Sequence, residues 1–163
     1  MEGMIMAKLQ LSNPRNDKIK PVEVEAMADT GATYLCIPES IYLRLELEVN
    51  KNRCVTMANG VNVTVPYVGP IRLEFKDRFC YTGALVMGDK VLLGMIPMTD
   101  MDLVLSPKTL NIDVNPESPN IAHAYAMGIL KDTGFDTKNL EKILSQNNEQ
   151  RVQDRQKEKE DVF

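Results

Sequence analysis

One acidic residue stands where a folded protein rarely tolerates an unpaired charge. Asp29 lies in a tight turn, Asp29-Thr30-Gly31-Ala32, between two apolar segments that predict buried strands. An isolated ionised carboxylate in a dry interior is strongly unfavourable, so such a residue is paired, hydrogen-bonded, or tuned in pKa for chemistry. The same residue types also form ordinary turns, and an ordinary structural turn is therefore the alternative interpretation.

The composition narrows the classes of function. A chain of 163 residues has room for one domain with a real core and an appendage. Its net charge of −4 gives no basic surface for nucleic acid or an anionic membrane. The first residues contain too short an apolar run for a signal peptide, and no later run approaches the roughly 20 apolar residues of a membrane span. We therefore expect a cytoplasmic protein with no nucleic-acid or membrane partner.

The residues that commonly bind metals do not cluster. Cys36, Cys54 and Cys80 are odd in number and widely spaced in strand-like sequence, which favours buried reduced thiols over disulfides or a zinc site. His123, the only histidine, has a Pro-rich neighbourhood and is interpreted as a surface or packing residue rather than a catalytic base. We predict neither a metal site nor a cofactor.

Strands on both sides of the turn must position Asp29. Two strands are predicted at residues 5–11 and 22–28, joined by a polar turn. In the second strand the apolar residues alternate with glutamates, so one face points to the core and leads directly into Asp29. After the turn we predict a short strand at residues 33–37, and then a helix that opens with Pro38-Glu39.

A hairpin and further strands follow. Asn59-Gly60 lies between strand-like residues 53–57 and 61–67, and both of its residues tolerate positive φ. Gly69-Pro70 predicts a turn, and residues 95–101 predict one short helix after the apolar run Leu92-Leu93-Gly94. The remaining predicted strands are residues 71–75, 79–87, 103–105 and 110–114. The segment 115–120 is rich in Pro and Asn, so the predicted first domain is residues 1–120.

Taken in order, several of these segments resemble the bacterial retropepsin-like (clan AA) aspartic proteases. They are the Asp-Thr-Gly-Ala turn, the Asn-Gly hairpin, Val68-Gly69-Pro70, the segment from Leu92 to Asp102, and Asn115-Pro116-Glu117-Ser118-Pro119, and the resemblance spans about residues 4–119. It implies a mainly β fold, a single-lobe retropepsin-like closed β-barrel (acid protease fold) with one or two short helices and a C-terminal helical or disordered tail. It also implies that the Leu-Leu-Gly run packs beside the loop that carries Asp29.

The resemblance assigns roles to individual residues. Asp29, Thr30 and Gly31 would be the catalytic residues. Ala32 would bind substrate, as would the tip of the hairpin, which is the flap of such enzymes, at Met57, Ala58, Asn59 and Gly60. A plain hairpin within a sheet has the same alternating pattern, and that interpretation stays open.

The implied chemistry needs two carboxylates that share a proton and a water molecule. The chain would therefore act as a homodimer, with two Asp29 side chains meeting across a two-fold axis and each Thr30 hydroxyl bridging to the other chain's loop. Retroviral members carry an Arg after the Gly that precedes their last helix, whereas Met95 follows Gly94 here. That Arg braces the retroviral dimer, so the mode of dimerisation does not transfer.

A second Asp-Thr-Gly, at Asp132-Thr133-Gly134, could in principle supply the other carboxylate within one chain. It lacks a preceding hydrophobic strand, and too few apolar residues follow it to build a second lobe. Asp136 instead has the sequence context of a helix cap, with Phe135 and Leu140 at the spacing of a hydrophobic staple. We interpret this motif as local turn and cap chemistry.

The C-terminal extension, residues 121–163, is predicted to contain a helix at about residues 136–148 and then a charged tail. Residues 149–161 are nearly all polar with mixed charge, so they should be a solvated helix extension or disordered. The tail either keeps the protein soluble or recruits a partner.

The sequence thus predicts an aspartic endopeptidase that hydrolyses extended peptides with a water activated by an Asp dyad across a homodimer. The alternative is a non-catalytic dimeric peptide-binding module that retains the protease fold. A third interpretation is a structural, strand-rich partner of another chain. An intact Asp-Thr-Gly favours the enzyme, because a scaffold needs no buried carboxylate.

Overall fold

The computed structural model of the protein describes residues 3–125 and 137–160. The chain divides into two compact units, Met1–Ala124 and Tyr125–Phe163. In the first unit the elements follow in the order β1 (Ile5–Ser12), β2 (Val22–Ala28), β3 (Leu35–Ile37), α1 (Glu39–Arg44), β4 (Val49–Thr56), β5 (Asn62–Phe75), β6 (Arg78–Val86), β7 (Val91–Leu93), α2 (Met95–Asp100), β8 (Leu103–Ser106) and β9 (Asn111–Val114). The second unit contains α3 (Thr137–Glu160).

The main sheet of the first unit closes on itself. Its strand order is β1-β2-β7-β3-β6-β5-β4, and β1 pairs with β5 as well as with β2. The ring therefore contains six strands, and β4 is attached to it only through β5. β8 and β9 form a separate two-stranded sheet. The prediction of a mainly β, single-lobe closed barrel with short helices is confirmed.

Alternation along the strands explains why the barrel forms. Four residues of β1, Ile5, Ala7, Leu9 and Leu11, are buried, while the residues between them point outward. Successive side chains of a strand point to opposite faces, so this period of two fills the interior of the barrel from each strand. The same rule buries Leu73 and Phe75 at the far end of β5.

One predicted turn is wrong. Gly69-Pro70 was expected to end a strand, yet β5 runs without a break through both residues. The pairing of β5 with β6 shifts register between Val68 and Ile71, and Gly69 has φ of +146° there. A bulge of this kind lets a proline, which has no N–H to donate, sit within a strand.

The second unit is described only by α3, a helix of 24 residues. It begins one residue after the predicted start and continues to Glu160, beyond the predicted end at 148. Residues 149–160 thus take the helical one of the two conformations predicted for this polar segment. None of the described helices is long and apolar enough to cross a membrane.

Candidate active site

Asp29 lies where two neighbouring strands end. β2 and β7 are parallel, with Ala28 opposite Leu93, and the next N–H, that of Asp29, donates a 3.0 Å hydrogen bond to the Leu93 carbonyl. The chain then leaves the barrel as residues 29–34, here named the Asp29 loop, and returns as β3. The loop is therefore anchored at its first residue to the wall of the barrel.

Hydrogen bonds within the loop orient the Asp29 side chain. The Gly31 N–H donates to Oδ1 of Asp29 at 2.8 Å, and the Ala32 N–H donates to the Asp29 carbonyl at 3.2 Å. A Cβ at residue 31 would lie 3.2 Å from the same Oδ1, which is tighter than most contacts of this kind. The absence of a side chain at Gly31 thus allows the backbone to close on the carboxylate. Asp29 itself is half-buried.

The start of α2 holds the other end of the loop. The N–H groups of Met95 and Ile96 donate to the carbonyls of Ala32 and Thr33 at 2.8 and 2.9 Å. Gly94 packs directly on the loop backbone, since a Cβ there would lie 2.3 Å from the Tyr34 carbonyl oxygen. The packing of the Leu-Leu-Gly run beside the Asp29 loop is therefore observed.

The surface next to this loop is apolar. Met95 and Ile96 are 42% and 44% exposed although both are large hydrophobic residues. Thr30 and Thr33, in the neighbouring loop, are exposed too. Exposed apolar residues at the start of α2 thus border the loop that carries the carboxylate.

The cysteines differ in their surroundings. Burial raises the pKa of the Cys36 thiol, and the nearby charge of Asp29 raises it further. Burial likewise raises the pKa of Cys80 to about 12, with a smaller effect from Asp100. These two are buried free thiols, as expected, but Cys54 is exposed, so the expectation of a buried thiol is wrong there. Cys54 lies on the outward face of β4, the strand that is attached to the barrel on one side only.

Of the residues predicted to bind substrate, Ala32 lies in the Asp29 loop and is half-buried, and the other four occupy the tip of the β4–β5 hairpin. The tip is closed by hydrogen bonds from the Met57 N–H to the Val61 carbonyl and from the Gly60 N–H to the Met57 carbonyl, at 2.8 and 2.9 Å. Gly60 has φ of +82°, a conformation that glycine adopts without strain, whereas Asn59 does not have a positive φ. Met57, Ala58, Asn59 and Gly60 are all exposed.

The hairpin contacts the Asp29 loop through Arg53, which lies four residues before the tip. The guanidinium of Arg53, on β4, lies against the ring of Tyr34, the last residue of the loop, and against the ring of Tyr67 on β5. The sequence reasoning missed these three residues. The signal that could have found Arg53 is its position in the alternation of β4, where it shares a face with Val55.

The second Asp-Thr-Gly, His123 and the metal-ligating residue types are the other candidate features of the sequence. The second Asp-Thr-Gly, at residues 132–134, lies outside the described residues, as do Phe135 and Asp136. His123 is exposed, and its backbone N–H donates to the Asp102 carboxylate. Within residues 3–125 and 137–160, no group of three or more His, Cys, Asp and Glu residues could hold a metal ion.

Comparison with known proteins finds similar solved structures. No protein-family model matches the chain, and no curated protein sequence matches it. Among solved structures, the fold is similar to the EIAV protease complexed with the inhibitor HBY-793. The match has 21% sequence identity and a TM-score of 0.47, and it covers 61% of this chain and 89% of that one. Similarity at this level assigns no activity to the chain.

Proposed function

We propose that the protein is a retropepsin-like aspartic endopeptidase that is active as a homodimer. The observation that carries the proposal is the Asp29 carboxylate, half-buried in a loop whose backbone is tied to β7 and α2. In the described residues only its Oδ1 has a hydrogen-bond partner, the Gly31 N–H. The second oxygen, Oδ2, is then free to hold a proton or a water molecule.

One carboxylate cannot perform the reaction alone. An ionised carboxylate takes a proton from water as the water attacks the peptide carbonyl, while a protonated carboxyl stabilises the developing oxyanion and later donates to the leaving nitrogen. Two carboxyls in contact lose their protons in two separate steps, so between those steps a symmetric pair of Asp29 residues supplies one group in each state. The two chains would therefore share one catalytic site.

The surface beside the loop supports a second copy as the partner. Thr30, Met95 and Ile96 are exposed next to Asp29, so a two-fold axis near the carboxylate brings the same apolar residues of both chains together. An interface of this kind is self-complementary, because each residue faces its counterpart in the other chain. Met95 and Ile96 would then provide by hydrophobic contact what the Arg provides in retroviral members.

The substrate would be an extended peptide between the β4–β5 hairpin and the Asp29 loop. Ala32 lies on the loop and Met57, Ala58, Asn59 and Gly60 form the hairpin tip, so the two groups could contact the peptide from opposite sides. An extended peptide is recognised largely through its backbone, with alternate side chains entering pockets.

Two matched variants test the catalytic assignment. Asp29→Asn keeps the size of the side chain and should abolish peptide cleavage while the thermal unfolding curve stays close to that of the wild type. Asp132→Asn makes the same change in the other Asp-Thr-Gly and should leave cleavage unchanged. Cleavage should also fall on the alkaline side of the pH profile, where both carboxylates of the dyad ionise. Equal loss of activity in the two variants would contradict the assignment.

A separate measurement tests the dimer. Sedimentation equilibrium should show a dimer for the wild type, and Ile96→Lys should shift it to the monomer and remove activity together. Thr99→Lys, an exposed position on the same helix, is the control and should leave both unchanged. A strictly monomeric wild-type protein that digests peptides would rule out the shared site. A dimer that binds peptides without cleaving them would be a peptide-binding module instead.

A further inference from the structure

The guanidinium of Arg53 lies against two tyrosine rings. Its Cζ atom lies 4.7 Å from the ring centroid of Tyr34 and 4.4 Å from that of Tyr67. The two rings are 5.8 Å apart and meet edge to face, at an angle of 68°. Nη1 of Arg53 also donates a hydrogen bond to the Tyr34 hydroxyl. The two distances from Cζ to the ring centroids are within the range at which a ring face attracts a cation.

No carboxylate of the described residues pairs with Arg53. In the described part of the chain four ion pairs form, and none of them includes Arg53. Its Nε is buried there without a hydrogen-bond partner. A partly buried cation with an unsatisfied donor is unfavourable unless other contacts compensate. An arginine that served solubility alone would extend its head group into water, so the location of Arg53 calls for another role.

The two tyrosines belong to parts of the fold that are themselves fixed. Tyr34 ends the Asp29 loop, and its carbonyl packs against Gly94, where a Cβ would lie only 2.3 Å away. Tyr67 lies over Gly83 of β6, where an added Cβ would be 2.2 Å from the ring Cζ. Arg53 therefore connects β4 to the Asp29 loop on one side and to the barrel wall on the other.

The same face of the hairpin continues toward the tip. Val55 follows Arg53 on this face and pairs with Val63 of β5. Both valines are half-buried, whereas the alternate residues Cys54 and Thr56 are exposed. The hairpin thus turns an apolar face inward beyond Arg53, and the tip begins four residues after it, at Met57.

We propose that Arg53 is a positioning residue, which fixes how the β4–β5 hairpin lies over the Asp29 loop so that the tip can close on a bound peptide. The role rests on the proposed endopeptidase function as far as the peptide is concerned. The contact between Arg53 and Tyr34 acts as the pivot: the hairpin beyond it moves, and the root keeps its distance from Asp29.

Hydrogen exchange tests, without any substrate, whether Arg53 holds the β4–β5 hairpin in place. In Arg53→Ala, amides of residues 49–68 should exchange about tenfold faster, as expected for the loss of a partly buried cation–π contact, while β1 and β2 exchange as in the wild type. Arg53→Lys keeps the charge but not the planar guanidinium, so its exchange rates in residues 49–68 should lie between those of the wild type and Arg53→Ala. Tyr34→Phe removes only the hydroxyl and provides a milder variant should Arg53→Ala fold poorly.

Arg72→Ala is the matched control. The Arg72 guanidinium lies 4.5 Å from the centroid of Phe79 and pairs with Glu74, so the variant removes a cation–π contact and an ion pair, but from a part of the barrel outside the hairpin. It should leave exchange in residues 49–68 unchanged. Faster exchange there in the control, or unchanged exchange in both Arg53→Ala and Tyr34→Phe, would overturn the proposal.

Peptide-cleavage kinetics test whether the hairpin that Arg53 positions contributes to peptide binding. Loss of a residue that positions the hairpin should raise KM about tenfold and leave kcat per active site nearly unchanged, since binding is lost and the carboxylates are intact. A residue needed only for folding would lower the active fraction and leave KM unchanged, and that result would overturn the proposal. If the wild type cleaves no peptide, the endopeptidase function fails, while the exchange measurement still decides whether Arg53 holds the hairpin.

Discussion

Gly94→Ala should distort the Asp29 loop more than any other single added methyl group near it. The new Cβ would lie 2.3 Å from the Tyr34 carbonyl oxygen and 2.8 Å from the Thr33 carbonyl carbon, whereas ordinary contact begins at 3.4 Å. The backbone at residue 94 and the end of the Asp29 loop must therefore separate by roughly 1 Å. Both partners are backbone atoms, which cannot rotate aside as the end of a side chain can.

Two opposing effects set the magnitude. Overpacking of this kind destabilises by about 1–3 kcal/mol, and a clash with backbone belongs near the upper end. Gly94 has φ of −89°, which alanine adopts without strain, so the reduced entropy of the unfolded chain returns roughly 0.4–1 kcal/mol. The net loss is about 2 kcal/mol, which for a chain of this length lowers Tm by roughly 4–8 °C.

The assay combines thermal unfolding with hydrogen exchange. The amides of Met95 and Ile96 donate to the Asp29 loop, so they should lose protection in Gly94→Ala even where the barrel strands keep theirs. Thr99→Ala, at an exposed position of the same helix, is the control and should change neither Tm nor protection. If Gly94→Ala melts with the wild type and keeps both amides protected, the loop is not held by this close approach.

Two further predictions follow from the titratable groups. The hydrogen bond from Ser118, with other hydrogen bonds, lowers the pKa of Asp102 to about 2. The ionised Asp102 carboxylate therefore stabilises the fold fully above pH 3.8, its ordinary pKa, and this stabilisation disappears as the pH falls toward 2. Tm should consequently fall less steeply between pH 4 and pH 2 in Asp102→Asn than in the wild type. Of the three thiols, exposed Cys54 should react with a disulfide reagent at pH 8 in the folded protein, whereas Cys36 and Cys80, buried and with raised pKa values, should react only on unfolding. Rapid reaction of all three in the folded state would refute this.

Local sequence signals were sufficient for much of the barrel. The strict alternation of β1 identifies both the strand and its buried face, and Asn59-Gly60 identifies the hairpin. The prediction failed at Gly69-Pro70, because a proline ends a strand only where its missing N–H is needed for pairing. In β5 it lies within a register shift, and the bulge removes that need.

In the candidate site too, some features follow from local sequence patterns and others depend on contacts between distant segments. Asp29 and Gly31 are two residues apart, so the hydrogen bond that orients the carboxylate is local and the motif indicates it directly. The cluster of Arg53, Tyr34 and Tyr67 joins a loop and two strands that come together because β6 pairs with both β3 and β5. The alternation of β4 could have indicated that Arg53 faces inward, but no local pattern specifies that its guanidinium will lie against two particular rings, so the cluster could not be predicted.

Symmetry explains why a shared carboxylate pair would need such a firmly held loop. In a homodimer the two Asp29 loops are related by the two-fold axis, so a displacement of one is repeated in the other and the separation of the carboxylates changes by up to twice as much. A shift of about 1 Å in each chain could then open the pair by about 2 Å, far more than a shared proton tolerates. Backbone contacts vary less than side-chain contacts, because they have no rotamers to exchange. The ties observed here, from the Asp29, Met95 and Ile96 amides and from Gly94, are all of that kind.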